Sequence, residues 1–339
     1  MRRLEPLGVA AGALLATAVF AAGSLWLGGY SPIDAAGALL RGSVGSPVAV
    51  MSSMVRSVPL ILTGLAVALA FRAGVWNIGA EGQLYAGAVA SVWVALSWSA
   101  LPAVVLIPAV LVSGGLAGAA WAAVPAVMKV RLGVGEVITT ILMNFVGILL
   151  AAYVVRGPLQ EARGIFPQTD PIADAARLPL LIPDTRLHAG FLIALLIGAA
   201  LWATLRWTRL GFQIRAVGAA PEAARISGMI SRDRVVLATF LASGAIAGLA
   251  GGVEVSGVTY ALYENLSPGW GYTAIAVALL ARLHPAAVVG TGLLFGALEA
   301  GAAAMQREAG IPLAWVGAVE AMVILFVLAA DQIRRRYDA

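Results

Sequence analysis

The chain has 339 residues, of which 61% are hydrophobic and only 12% charged, with a mean hydropathy of +0.92. Soluble domains carry about 25% charged residues, so the composition excludes an ordinary soluble protein and points to an all-α, polytopic membrane protein. The net charge of +5 is not read as a nucleic-acid footprint, because the basic residues sort by membrane side, and the lack of cysteine excludes disulfides, thiolate metal sites and a cysteine nucleophile.

Met1-Arg2-Arg3 precedes an apolar run over 7–27. A cleavable signal peptide is one reading, with 18–23 as the cleavage region; the length of the run favours an uncleaved first helix with a cytoplasmic N-terminus. Residues 28–57 are expected as an external loop carrying Asp34 and Arg41. Arg56-Ser57 and Pro59 interrupt the next apolar block, which predicts a broken second helix ending near Arg72, too short for the roughly 20 residues a span requires. A polar stretch with Gly74, Asn77, Gly79, Glu81, Gly82 and Gln83 follows. Backbone-rich polar loops do not face lipid, so this one is expected inside protein or beside a water-filled path.

A third helix is expected over 82–98 and a fourth over 102–127, closed by Lys129 and Arg131. The fifth covers 137–155, and 156–187 is a long external loop with Glu161, Asp170, Asp174 and Asp184. A sixth helix over 188–205 leads into the basic cytoplasmic loop 206–234. The seventh, 235–255, carries Ser243, Gly244, Gly248, Gly251 and Gly252, small residues that let helix backbones approach closely. The eighth, 271–283, is short; His284-Pro285 turns the chain into a ninth helix ending near Met305, and a tenth covers 312–330.

Ten crossings from a cytoplasmic start return the C-terminus to the cytoplasm. That places Arg2, Arg3, Lys129, Arg131, the arginines of 206–234 and Arg334–Arg336 on one side, as the positive-inside rule requires. A weak parallel repeat is also visible. Ala66-Val67-Ala68-Leu69 with Arg72 matches Ala276-Val277-Ala278-Leu279 with Arg282 at an offset of 210, although an alanine-rich chain also produces such matches by chance. Both copies fall on the short or broken segments, the pattern that points to a transport site.

The single lysine, Lys129, is followed by Val130, so no phosphate-binding Gly-Lys-Ser/Thr loop is present and an ATPase would be a separate subunit. His188 and His284 lie far apart and read as turn or interface residues; no metal, cofactor or catalytic constellation is expected. Glu81, Glu254, Glu299 and Glu320 are acids in apolar segments, and such acids are functional candidates. Glu81 shares its loop with Asn77 and Gln83, and these three with mid-helix Asn144 are the candidate substrate path; capping, packing and helix–helix bonding are the bland readings. Within 206–234, Pro221 suits a first helical position, Glu222 a first turn, Arg225 a last turn and Gly228 a stop, which predicts a short surface helix.

Four stretches, FRAGVWNIGAEGQ within 59–88, GVGEVITTILMN at 133–144, TRLGFQIRAVGAAPEAARISG at 208–228 and IAVALLARLHPAAVVGTGLLFG at 275–296, resemble the permeases of bacterial ABC importers for branched-chain amino acids, ribose and nucleosides, most of all the nucleoside permeases. The resemblance implies one transmembrane domain over 1–339 in the bacterial inner membrane. It implies cytoplasmic ATPase subunits, a second related permease chain and an external solute-binding lipoprotein as partners. It assigns a coupling helix to Ala219, Pro221, Glu222, Ala223, Ala224, Arg225, Ser227 and Gly228, and it expects a glycine where this chain has Ala281. A sugar or branched-chain amino-acid permease is the runner-up substrate class. An ion-coupled carrier using Glu81 or Glu299 and an integral membrane enzyme are the other classes weighed.

Overall fold

The computed structural model describes residues 6–226 and 230–312, with 315, 317, 318, 321, 322 and 325. The described residues form α1 (Pro6–Leu27), α2 (Pro32–Val44), α3 (Pro47–Arg72), α4 (Ala80–Ser97), α5 (Ala103–Leu132), α6 (Glu136–Arg156), α7 (Gly190–Trp207), α8 (Arg209–Ala219), α9 (Pro221–Ile226), α10 (Arg232–Glu254), α11 (Trp270–Leu280) and α12 (Pro285–Ala309). A π-helical turn, Val255–Thr259, extends α10, and a 3-10 turn forms at Asp174–Ala176. Six helices among the described residues are long and apolar enough to cross a membrane: α3, α5, α6, α7, α10 with its π turn, and α12. The protein is therefore all-helical and multi-pass. Most of the expected tenth helix, Glu320, Ser227, Gly228 and Arg334–Arg336 lie outside the described residues.

Two expectations are corrected. Residues 28–57 are not a loop, because they hold α2 and the start of α3. Serine–proline pairs start both helices: Ser31 Oγ accepts from Asp34 N, Ser46 Oγ accepts from Ala49 N at 3.1 Å, and the prolines that follow sit where no N–H is needed. Nor is the second spanning helix broken, since α3 runs unbroken for 26 residues through Pro59. A proline removes one ladder bond, and helices packed around it make that tolerable in a membrane protein. Here Leu60, Ile61, Leu62 and Leu65 are fully buried, and Thr63 Oγ1 donates to the Pro59 carbonyl at 2.6 Å.

The chain divides into two compact units, Met1–Arg56 with Leu294–Ala339, and Ser57–Leu293. In the first, Leu25, Ala35, Ala38, Met305 and Ile311 form a small core, and Trp315 Nε1 donates to Ser24 Oγ at 2.9 Å.

The second unit is organised around α10. A Cβ at Gly248 would strike the Gly114 carbonyl and Gly118 of α5, one at Gly87 of α4 would strike Gly248, and one at Gly251 would strike the Leu84 carbonyl. Bare backbone thus meets bare backbone across α4, α5 and α10. In lipid no hydrophobic force pulls helices together, so close approach and dispersion supply the association.

The loop expected over 156–187 is held down by backbone bonds to the segment after α10. Thr169 N donates to Leu262 O at 3.0 Å, Ile172 N to Tyr260 O at 2.8 Å, and Leu178 N to Ser256 O at 2.9 Å, with an Arg156–Glu264 ion pair at 2.6 Å. His188, at the end of this loop, is buried, and its Nδ1 accepts from Gly190 N at 3.1 Å. Burial pushes its pKa down to about 4, so it is neutral in the folded protein at neutral pH.

Gly248→Leu should lower stability by roughly 1–3 kcal/mol or more, read as loss of folded protein after heating in detergent. The buried neutral His188 gives a second expectation. The unfolded chain protonates near pH 6.5 and the folded one only near 4, so this contribution is complete above about pH 6.5 and is lost as pH falls toward 4. Melting temperatures measured from pH 7 to 4 should fall more in the wild type than in His188→Asn, which keeps an acceptor and does not titrate.

Candidate functional site

The polar stretch begins where α3 ends. Gly74 takes φ +71°, a left-handed conformation that side chains disfavour, and Val75 N closes back on Ala70 O at 3.0 Å. From there to Ala80 the backbone is not helical, yet Val75, Asn77 and Gly79 are buried. Each backbone polar group there needs a partner.

The structure brings Asn77, Gln83 and Asn144 of the expected path together, and Asn77 and Asn144 bond the backbone of this stretch directly. Asn77 Oδ1 accepts from Gly79 N and from Gln83 Nε2, both at 3.0 Å. Asn77 Nδ2 donates to Ser243 Oγ of α10 at 2.9 Å, and Ser243 Oγ donates to the Ala66 carbonyl of α3 at 2.7 Å. One amide therefore ties α3, the loop, α4 and α10. Asn144 does the same from α6: its Oδ1 accepts from Gly82 N and its Nδ2 donates to Ile78 O, each at 2.8 Å.

Asn144 is the last of a ladder. Residues spaced by four lie one turn apart on one helix face. Glu136, Thr140 and Asn144 occupy that face of α6 and take successive groups of the loop. Glu136 Oε1 accepts from Trp76 N at 3.3 Å, Thr140 Oγ1 from Ile78 N at 3.2 Å, and Asn144 Oδ1 from Gly82 N. Glu136 is anchored by Lys129 Nζ on its other oxygen at 2.5 Å. The approach is possible because Gly82 and Gly147 have no side chains; a Cβ at Gly82 would meet the Met143 carbonyl.

Glu81 is almost fully buried, and its Oε2 accepts from Gly271 N at 2.6 Å. Glu81 sits in the first turn of α4, Gly271 in the first turn of α11. Two helix N-termini, each with partial positive charge, share one carboxylate, which is why a buried acid is tolerated there. Gly271 lies against the Glu81 backbone with no room for a Cβ.

The remaining candidates are dispersed. Glu254 is buried and Glu299 half-buried, and both have partners within the protein. His284 is exposed in the turn between α11 and α12. The glycine expected at 281 is not needed: Ala281 has φ −74°, and the left-handed positions fall on Arg282 and Leu283. Among the described residues no cluster could hold a metal ion. Pro221–Ile226 is helical with Glu222 in its first turn. Sequence reasoning missed Glu136, Thr140, Ser243 and Gly271. The four-residue spacing of Glu136, Thr140 and Asn144 was a readable signal, whereas nothing local marks Ser243 or Gly271 as partners of the loop.

Asn144→Leu should leave Gly82 N and Ile78 O unpaired, at about 1–3 kcal/mol each, visible as a lowered melting temperature in detergent. At Glu81, the Gln variant keeps an acceptor for Gly271 N and the Leu variant keeps none, so stability should fall in the order wild type, Glu81→Gln, Glu81→Leu.

Residues 49–328 match the family described as branched-chain amino acid transport system / permease component. The chain is 41% identical over 314 residues to a glucose ABC transporter permease protein of Haloferax volcanii, covering 90% of this chain and 82% of that one. It is 38% identical over 334 residues to a guanosine ABC transporter permease protein of Bacillus subtilis, covering 97% and 92%. It is 32% identical over 308 residues to a nucleoside ABC transporter permease protein of Lactococcus lactis, covering 88% and 84%. No solved structure matches the chain.

Proposed function

The chain belongs to the branched-chain amino acid transport system / permease component family, and from that premise we propose that it forms the translocation path of an ATP-driven nucleoside importer. It is a transport subunit and not an enzyme. The observation that carries the substrate class is the similarity to the guanosine permease along 97% of this chain. The glucose permease relative favours a sugar as the second reading.

The rest of the assembly follows from the same premise. Hydrolysis of ATP falls to cytoplasmic subunits, a related permease chain completes the path, and an external lipoprotein delivers the solute. The chain crosses the bacterial inner membrane ten times with both termini in the cytoplasm. Asn77, Glu81, Gln83 and Asn144 are the buried brace behind the wall of the path: their polar atoms hold the loop between α3 and α4 and the start of α11 in place.

The coupling helix is α9. It presents Ala223 and Ile226, three residues apart, on its open surface, and Ile226 is 78% exposed. An apolar side chain so placed in a polar loop suits a hydrophobic pocket on an ATPase subunit.

Uptake of radiolabelled guanosine, glucose, ribose and leucine should be compared in cells with the chain intact, deleted and restored. Loss of guanosine uptake alone is the expected result, and loss of glucose uptake alone replaces the substrate class. If no uptake is lost and no ATPase subunit co-purifies, the importer reading is overturned. Ile226→Asp should reduce co-purification of the ATPase subunits about ten-fold or more, as for an interface anchor worth over ~1.4 kcal/mol.

A further inference from the structure

Between α7 and the coupling helix lies α8, whose Arg209–Ala219 segment is too short and polar to cross a membrane. Thr208 caps it, its Oγ1 accepting from Gly211 N at 3.1 Å. Its buried positions are Gly211, Ile214 and Val217, one face of the helix.

That face is fixed at both ends by backbone contact. A Cβ at Gly211 would strike the Thr204 carbonyl and Leu205 of α7. A Cβ at Gly218 would strike the Arg72 carbonyl at the end of α3, and the Cβ position of Gly74 lies 3.5 Å from Gly218 Cα. The two glycines are two turns apart, about 10 Å along the helix.

Between these contacts the packing is open. Leu210 and Ile214 overhang an apolar groove of about 230 Å³ whose other walls include Leu69 of α3, Leu201 of α7, and Thr239 and Ala242 of α10. Thr239 is 2% exposed, and its Oγ1 has no partner among the described residues. The groove opens to the surface, where Ala200 of α7, Leu210 and Ala242 of α10 are exposed, so no packed side chain backs α8 there. A helix held at two points above a gap has room to rock.

We propose that α8 is the lever through which the coupling helix acts on the polar loop, hinged on α7 at Gly211, pressing on the Arg72–Gly74 turn through Gly218, and closing the groove at Ile214 as it moves. The inference rests on α9 as the docking helix. On the far side, α9 follows α8 after one residue, Ala220, and Ala224 N donates back to Ala220 O at 3.0 Å, so a push on α9 reaches α8 directly. On the near side, only Val75 and Trp76 separate Gly74 from Asn77, and the braced loop carries the displacement on to Gln83 and Glu81. Gly211 and Gly218 are positioning residues, since neither is placed to meet a transported solute. Small shifts of this kind switch packed elements between discrete arrangements.

The test uses the complete transporter, this chain with its partner permease and ATPase subunits, in proteoliposomes loaded with ATP. Because the chain lacks cysteine, spin labels can be placed singly at Phe212→Cys on α8 and Leu132→Cys at the end of α5, both exposed sites. In this otherwise wild-type pair, ATP should shift the distance between the labels. Ala242→Leu and Ala200→Leu, which fill the groove from α10 and α7, should abolish the shift and cut guanosine uptake about ten-fold or more while ATPase subunits still co-purify. Failure of the ATPase subunits to co-purify with the wild type would instead overturn the importer reading itself. With the complex intact, the lever is overturned if the wild-type distance does not respond to ATP. It is equally overturned if either filled variant keeps both the shift and wild-type uptake. Should neither variant fold, the wild-type distance measurement alone decides.

Discussion

The structure depends on one constraint: where the non-helical backbone between α3 and α4 is buried among apolar helices, at Val75, Asn77 and Gly79, its polar groups must be paired within the protein. The segment from Gly74 to Ala80 meets this constraint through side chains instead of secondary structure. Glu136, Thr140 and Asn144 serve it from α6 and Asn77 from within, while Gln83 of α4 and Ser243 of α10 hold the Asn77 side chain in place. Each unpaired group would cost on the order of 1–3 kcal/mol, so the set together outweighs the marginal stability reserve of a typical domain only if it is left incomplete. Completed, it fixes the register of α3, α4, α6 and α10 against one another.

The glycine contacts make that pairing geometrically possible. A side-chain amide reaches only a few ångströms, so the helices carrying it must lie close to the loop. Gly82 against α6, Gly271 against the start of α4, and Gly87, Gly114, Gly118, Gly248 and Gly251 among α4, α5 and α10 remove the side chains that would hold the backbones apart. Close packing and polar pairing are therefore one device. The shared carboxylate of Glu81 extends it to α11, where the partial charges of two helix N-termini compensate an acid that burial alone would expel.

The same rigidity has a functional meaning. The loop is braced at Trp76 and Ile78, and the start of α4 at Gly82, all from α6, which is the stiffness the proposed route through the Arg72–Gly74 turn requires. The turn is touched by α8 at Gly218, and α8 leads within one residue to α9 with its exposed Ile226. The chain thus places a braced loop, an open groove and an exposed apolar side chain in sequence along one route.

The amino-acid sequence by itself determined the class of the protein and the position of its polar centre. Its hydropathy required a multi-pass helical protein, the small residues of 235–255 marked the close-packed helix, and Asn77, Glu81, Gln83 and Asn144 stood out because polar groups in apolar segments need partners. Pro221 and Glu222 marked the start of α9 because helix N-terminal chemistry is local. Only the tertiary structure decided what those polar groups do. Asn77 meets Ser243 across 166 residues and Glu81 meets Gly271 across 190, pairings that no local pattern encodes. It also overruled Pro59 and the expected loop at 28–57. A proline's cost and a helix's start are local quantities, whereas burial of Leu60 to Leu65 on all sides is not, and that packing outweighs one missing backbone bond.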